Sequence, residues 1–146
     1  MKNLMIKCLL IFLISCNVQS QEEKLIFNFI AACKDKNIEI PVIKDKYICE
    51  GKQHTEAKAT LDKFLTDGIA SIRKELQSKD LSKLKIIKAT NDKEVQKEFV
   101  ITDFSKVFIL KENKKIVLYF LIENDRIAAF SVLNKGGIKN FIILCN

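Results

Sequence analysis

The chain's one histidine, His54, stands in the segment Cys49-Glu50-Gly51-Lys52-Gln53-His54-Thr55-Glu56. A Cys and a His this close suit two chemistries. Cys49 as nucleophile with His54 as base would support covalent catalysis. The same pair, with Glu50 or Glu56 added, would make a start on a metal site. The spacing Cys-x4-His matches no zinc signature, and a structural zinc needs four protein ligands. The segment also sits just ahead of a helical pattern, where polar residues collect in any case. The expectation is a surface loop carrying half of a disulfide, with no catalytic residue, no metal and no cofactor.

No other constellation competes. The sequence has no Gly-x-Ser-x-Gly elbow, no phosphate-binding Gly-x-x-x-x-Gly-Lys-Ser/Thr and no His-Glu-x-x-His. Asp92, Glu94 and Glu98 alternate with Lys93 and Lys97. That pattern reads as a solvated helix face, whereas a glycosidase needs two carboxylates facing one cleft. Asp103 and Asp125 fall near strand ends with nothing to pair them. Lys135-Gly136-Gly137 reads as a hairpin turn rather than an anion nest.

Ahead of the domain stands an export signal. Residues 1–7 carry two Lys and no acid, residues 8–14 (CLLIFLI) are wholly apolar, and small or polar residues follow. A charged start, a short apolar run and a small-residue exit mark a secretory signal. The run is too short to span a bilayer, which takes about 20 residues. Leu13-Ile14-Ser15-Cys16 resembles the lipobox of bacterial lipoproteins. The resemblance implies that residues 1–15 are removed and that Cys16 receives a diacylglyceryl group. An outer-membrane or periplasmic lipoprotein, held to the membrane by that lipid, is then expected. The alternative is cleavage after Val18-Gln19-Ser20, which removes residues 1–20 and leaves a soluble secreted protein. Ser20 and Glu23 have capping-box spacing. Cleavage after Ser20 would discard the cap, which favours the lipobox.

Charge narrows the partners. The chain has 25 Lys+Arg against 18 Asp+Glu, a formal charge of +7, and no Trp. Removing the two signal lysines leaves a net charge of +5. Arg occurs only at Arg73 and Arg126, yet Arg is the residue that grips phosphates and base edges in a planar fork. Aromatic interleaving for base stacking is missing too. Nucleic acid is therefore not an expected partner.

Three cysteines remain for an oxidising compartment, Cys33, Cys49 and Cys145, enough for one internal bridge. Cys33–Cys49 closes the shortest loop and is the expected pair. Cys145 lies in the apolar run FIILC and reads as a buried free thiol.

With 146 residues, the chain has room for one domain, residues 21–146. Leu25, Ile26, Phe29, Ile30 and Cys33 give helical spacing over 22–35. Residues 38–43 and 46–49 read as short extended pieces, with Pro41 confining any strand to an edge. Residues 55–78 are the clearest helix: Ala57, Leu61, Phe64, Leu65, Ile69, Ile72 and Leu76 form one stripe. Gly68 lies in that stripe and would let another element come close. Residues 84–90 read as a strand and 92–99 as a short helix. Then come four strand candidates, 107–110, 116–122, 127–133 and 141–145, with tight links at Asn124-Asp125 and Gly136-Gly137. This predicts an α+β domain: helices, then a curved antiparallel meander of four or more strands.

The strands are apolar on both faces, so the second face must be covered. The 22–35 helix, a partner subunit in a homodimer, or a curled sheet around a cavity would do it. In element order alone the domain is similar to NTF2-like and cystatin-like folds, and no residue motif extends the likeness. The functional expectation is a non-enzymatic envelope lipoprotein binding a partner protein or an apolar ligand. The alternatives are a soluble interaction or inhibitor-type protein, and a small secreted enzyme using His54 or paired acids.

Overall fold

The computed structural model describes residues 19–51 and 55–145. Cys16, the signal and both of its cleavage sites lie outside them. The domain is α+β, with a helical layer preceding a four-stranded antiparallel sheet.

Helix α1 (Gln21–Lys34) opens on the expected capping box. The Ser20 hydroxyl oxygen accepts from the Glu23 N–H at 3.2 Å, and Glu23 Oε2 accepts from the Ser20 N–H at 3.2 Å. Its apolar face buries Ile26, Phe29, Ile30 and Cys33. Helix α2 (Ile40–Tyr47) replaces the extended pieces expected for 38–49. Pro41 sits in its first turn, where the missing N–H would have no helical partner anyway. Ile43 and Tyr47, one turn apart, both point to the core. Helix α3 (Thr55–Gln77) buries Leu65, Ile69, Ile72 and Leu76, as the stripe predicts. Arg73 fastens it to its neighbours, donating from Nε to the Cys33 carbonyl at 3.1 Å and from a terminal nitrogen to the Ile38 carbonyl at 2.5 Å.

Gly68 does allow a close approach. A Cβ there would stand 2.9 Å from Cε2 of Phe130 and 3.2 Å from its Cζ. Phe130 is itself 5% exposed and packs against Phe29, with ring centroids 6.3 Å apart, so its ring has little room to retreat. Gly68→Ala is expected to lower the melting temperature, although it removes a helix-interior glycine. Overpacking costs about 1–3 kcal/mol, against a propensity gain of at most about 1 kcal/mol. A melt showing equal or greater stability would mean the ring moves aside freely.

The sheet comprises β1 (Leu84–Lys88), β2 (Val107–Glu112), β3 (Lys115–Glu123) and β4 (Arg126–Ala129), in the order β1-β2-β3-β4. Asn124 and Asp125 both take positive φ, 49° and 57°, the geometry of the tight β3–β4 turn. The 127–133 run divides rather than forming one strand. Phe130 and Ser131 leave the sheet, and β5 (Val132–Lys135) pairs instead with β6 (Ile138–Phe141), across Gly136-Gly137, as a separate hairpin. Residues 142–145, expected as strand, form a tail. It is fixed by N–H bonds from Ile142 to the Ser131 carbonyl at 3.0 Å and from Leu144 to the Ala128 carbonyl at 2.8 Å.

Strand register sorts the core into two clusters. Phe108 pairs with Phe120, and Leu110 with Leu118, on the face that meets α1 and α3. Val107 pairs with Leu121, and Ile109 with Tyr119, on the opposite face. That second face is covered from within the chain, though not by the 22–35 helix. Ala89, Val95, Phe99 and Phe104 of the β1–β2 connection lie over it, together with Val132 and Phe141 of the hairpin. The connection contains helix α4 (Lys93–Lys97), capped by Asp92. The chain thus buries its own second face.

The disulfide joins Cys49 to Cys145, not Cys33 to Cys49. Cys33 is a free, fully buried thiol on the core face of α1, and Cys145 is bridged rather than free. The cause is topological. Ile48 forms a parallel bridge to Ile127, the Cys49 N–H reaches the Ile127 carbonyl at 3.0 Å, and the Gly51 N–H reaches the Leu144 carbonyl at 3.2 Å. The segment after α2 therefore runs beside β4 and meets the C-terminal tail. The two Cα atoms stand 5.5 Å apart, within ordinary bridging range.

Candidate functional site

The Cys49–Glu56 segment does not form a reactive cluster among the described residues. The sulfur of Cys49 is consumed in the disulfide, so it is neither thiolate nucleophile nor ligand. Glu50 is exposed and lies 3.5 Å from Lys44 Nζ, whose nearer partner is Asp62. These carboxylates hold the lysine's pKa above its ordinary value, the Asp62 hydrogen bond foremost. His54, and the side chain of Glu56, lie outside the described residues. A shallow cavity of about 400 Å³ opens beside the bridge, lined by Asp45, Ile48, Cys49, Glu50 and Arg126. Arg126 donates to the Asp45 carbonyl at 2.6 Å, which turns its guanidinium to a structural task.

The acids of the 92–98 segment take three separate roles. Asp92 caps α4, accepting from the Val95 N–H at 3.1 Å, and pairs with Lys111; that lysine, with the cap bond second, keeps its carboxyl below the usual range. Glu94 pairs with Lys97 at 2.8 Å on the surface, and Glu98 pairs with Lys139. Among the described residues, no group of three or more His, Cys, Asp or Glu side chains is placed to hold a metal ion.

A different place has the form of a binding site. Phe99 anchors the cover over the second sheet face. Its ring stacks on Phe141 at 5.0 Å and meets Tyr119 edge-on at 5.2 Å and Phe104 edge-on at 6.3 Å. Lys139 closes the cluster, donating to the Tyr119 hydroxyl at 2.8 Å and lying over its ring. Beyond Phe99 the chain crosses residues 100–106 before entering β2. Between this crossing and residues 140–143, where β6 passes into the tail, lies a groove of about 450 Å³. Ile101, Leu121, Phe141 and Ile143 give it apolar walls, and Asp103, Lys106, Glu123 and Asn140 form its rim. Asp103 stays ionised, its pKa lowered chiefly by Ser105, through the hydroxyl and the backbone N–H at 2.8 Å, and also by the nearby charges of Lys106 and Lys88. Ile143 is 55% exposed at the edge, and Val100, next to Ile101, is 60% exposed.

Sequence reasoning placed the function-bearing residues elsewhere. In the sequence Asp103 stands out only as an unpaired acid near a strand end, and Leu121, Phe141 and Ile143 only as parts of the 116–122 and 141–145 strand candidates. Apolar walls with a few converging polar groups suit noncovalent binding.

No protein-family model matches the chain, nor does any curated protein or solved structure. No helix among the described residues is long and apolar enough to cross a membrane.

Proposed function

We propose that the protein is an exported cell-envelope lipoprotein, anchored through Cys16, whose domain binds an apolar ligand or a partner protein without catalysing a reaction. The observation that carries the anchor is the capping box. Helix α1 opens with the reciprocal Ser20–Glu23 bonds, and cleavage after Ser20 would remove one partner of both. Cleavage before Cys16 keeps the cap and leaves a four-residue tether, Asn17 to Ser20. A long-range disulfide suits an oxidising compartment outside the cytoplasm. The binding role draws on the groove between residues 101–106 and 140–143.

The test is the intact mass of the protein purified from its native cells. The expected species begins at Cys16 and carries the mass of a diacylglyceryl group. A species beginning at Gln21 without lipid would replace the anchor with a soluble secreted factor. Reduction is expected to add two daltons to either species, for the single bridge.

A further inference from the structure

We infer that the groove walled by Ile101, Leu121, Phe141 and Ile143 faces the anchoring bilayer and receives its acyl chains. The inference rests on the proposed lipid at Cys16. From Cys16 to Gln21 is five extended steps, at most about 18 Å, so the first turn of α1 must start within about that distance of the lipid-bearing residue. The end of the domain that carries this turn is thereby the end nearest the membrane.

The groove opens on that same end. Glu22, in the first turn of α1, lines a small cavity of about 250 Å³ with Lys106, Ile122, Glu123, Asn124 and Asp125. Lys106 and Glu123 of that cavity also form the groove's rim. The two spaces are therefore neighbours, and a tether leaving Ser20 brings the bilayer surface to the groove mouth. Exposed Ile143 and Val100 flank it, where contact with hydrocarbon would remove their apolar surface from water. Lys106 is placed to meet a lipid phosphate, while Asp103 and Glu123 on the rim oppose deeper insertion of a charged edge. The result is a shallow seat, with the isoleucine walls at the boundary between headgroups and acyl chains, the depth at which apolar faces of interfacial elements settle.

The absence of Trp from the chain makes a direct test available. Ile143→Trp places one reporter at the groove edge. Val42→Trp places another on α2, where Val42 is 53% exposed. Val42 lies four residues after Ile38, which shares a cavity with Ala31, Ala32 and Asp35 at the C-terminal end of α1. Each full-length variant is produced with its own signal, checked by intact mass, and reconstituted in phosphatidylethanolamine–phosphatidylglycerol vesicles with brominated or plain acyl chains. Bromine on the chains is expected to reduce the Ile143→Trp fluorescence to about half, as for an interfacially seated ring, and to leave Val42→Trp unchanged. Both sites are exposed, so neither variant threatens the fold. Lipidated Ile143→Trp protein that is not quenched, or Val42→Trp quenched equally, would overturn the inference and leave the lipoprotein reading intact. A mass without diacylglycerol would remove the anchor, and the orientation with it.

Discussion

Cys145→Ser is expected to lower the unfolding free energy by roughly 4–5 kcal/mol, and the melting temperature by about 10–20 °C. The bridge spans 96 residues, so breaking it frees most of the domain's length in the unfolded chain. The chain-entropy penalty relieved by a bridge grows with that length, which makes this one of the largest single-site effects available to the molecule. Locally the bridge ties the Ile48–Gly51 segment to the C-terminal tail, and both lie against β4. Cys49→Ser should match Cys145→Ser, and the double variant should be no worse than either single one. Cys33 provides the contrast. Burial pushes its thiol up to about 12, with the charge of Arg73 opposing. It therefore holds almost no thiolate at neutral pH and should react with alkylating reagents only on unfolding. Thermal melts of the four proteins, with mass readings before and after reduction, check this. Loss of the two-dalton change in Cys33→Ala, rather than in Cys145→Ser, would reinstate the nearest-neighbour pairing.

That contrast also shows where a sequence stops informing. Loop length ranks Cys33–Cys49 first because local closure costs the unfolded chain least. Pairing in the folded state is set by geometry instead. Cys33 falls on the α1 stripe with Ile26, Phe29 and Ile30, and a residue on that stripe points into the core. Its helical spacing was legible; its consequence for pairing needed the position of the tail. Helix α3 was legible because seven apolar residues repeat over 23 positions, and Gly68 interrupting that stripe already implied a close neighbour. Helix α2 was not, because eight residues give too few turns for a period to stand out. Pro41 is compatible with both an edge strand and a helix start. The run 127–133 is apolar but for Ser131, and one serine is too weak a signal to mark the break at Phe130–Ser131. That break sends the hairpin across the second sheet face. The groove was the least legible feature of all. Its walls come from the crossing before β2, from β3 and from the tail, and no local pattern links Ile101 to Leu121 and Ile143.

Phe29→Ala is expected to cost about 3–5 kcal/mol, the usual range for emptying a fully buried phenylalanine site. Phe29 is 0% exposed and meets three other rings. Tyr47 of α2 and Phe120 of β3 stand edge-on at 5.9 Å each, and Phe130, after β4, lies at 6.3 Å. One side chain on α1 thus joins the second helix, the sheet and the ring that fills the gap at Gly68. Edge-on pairs add about 0.5–1.5 kcal/mol beyond area burial, so loss of shape should hurt as well as loss of volume. Phe29→Leu, which keeps much of the volume but not the ring edges, should therefore cost clearly less than Phe29→Ala yet more than a surface change. Val42→Ala, at an exposed site, should stay within about 0.5 kcal/mol. Denaturant titrations of the three variants give the order directly. A Phe29→Ala loss under about 1 kcal/mol would mean that α1 is not the keystone of the helical layer. The point bears on the proposed anchor too, because a lipid on Cys16 would hold the domain through α1. A small domain has only about 5–15 kcal/mol of stability in all. Three ring contacts on α1 therefore tie the helix that would sit next to the proposed anchor to both α2 and the sheet.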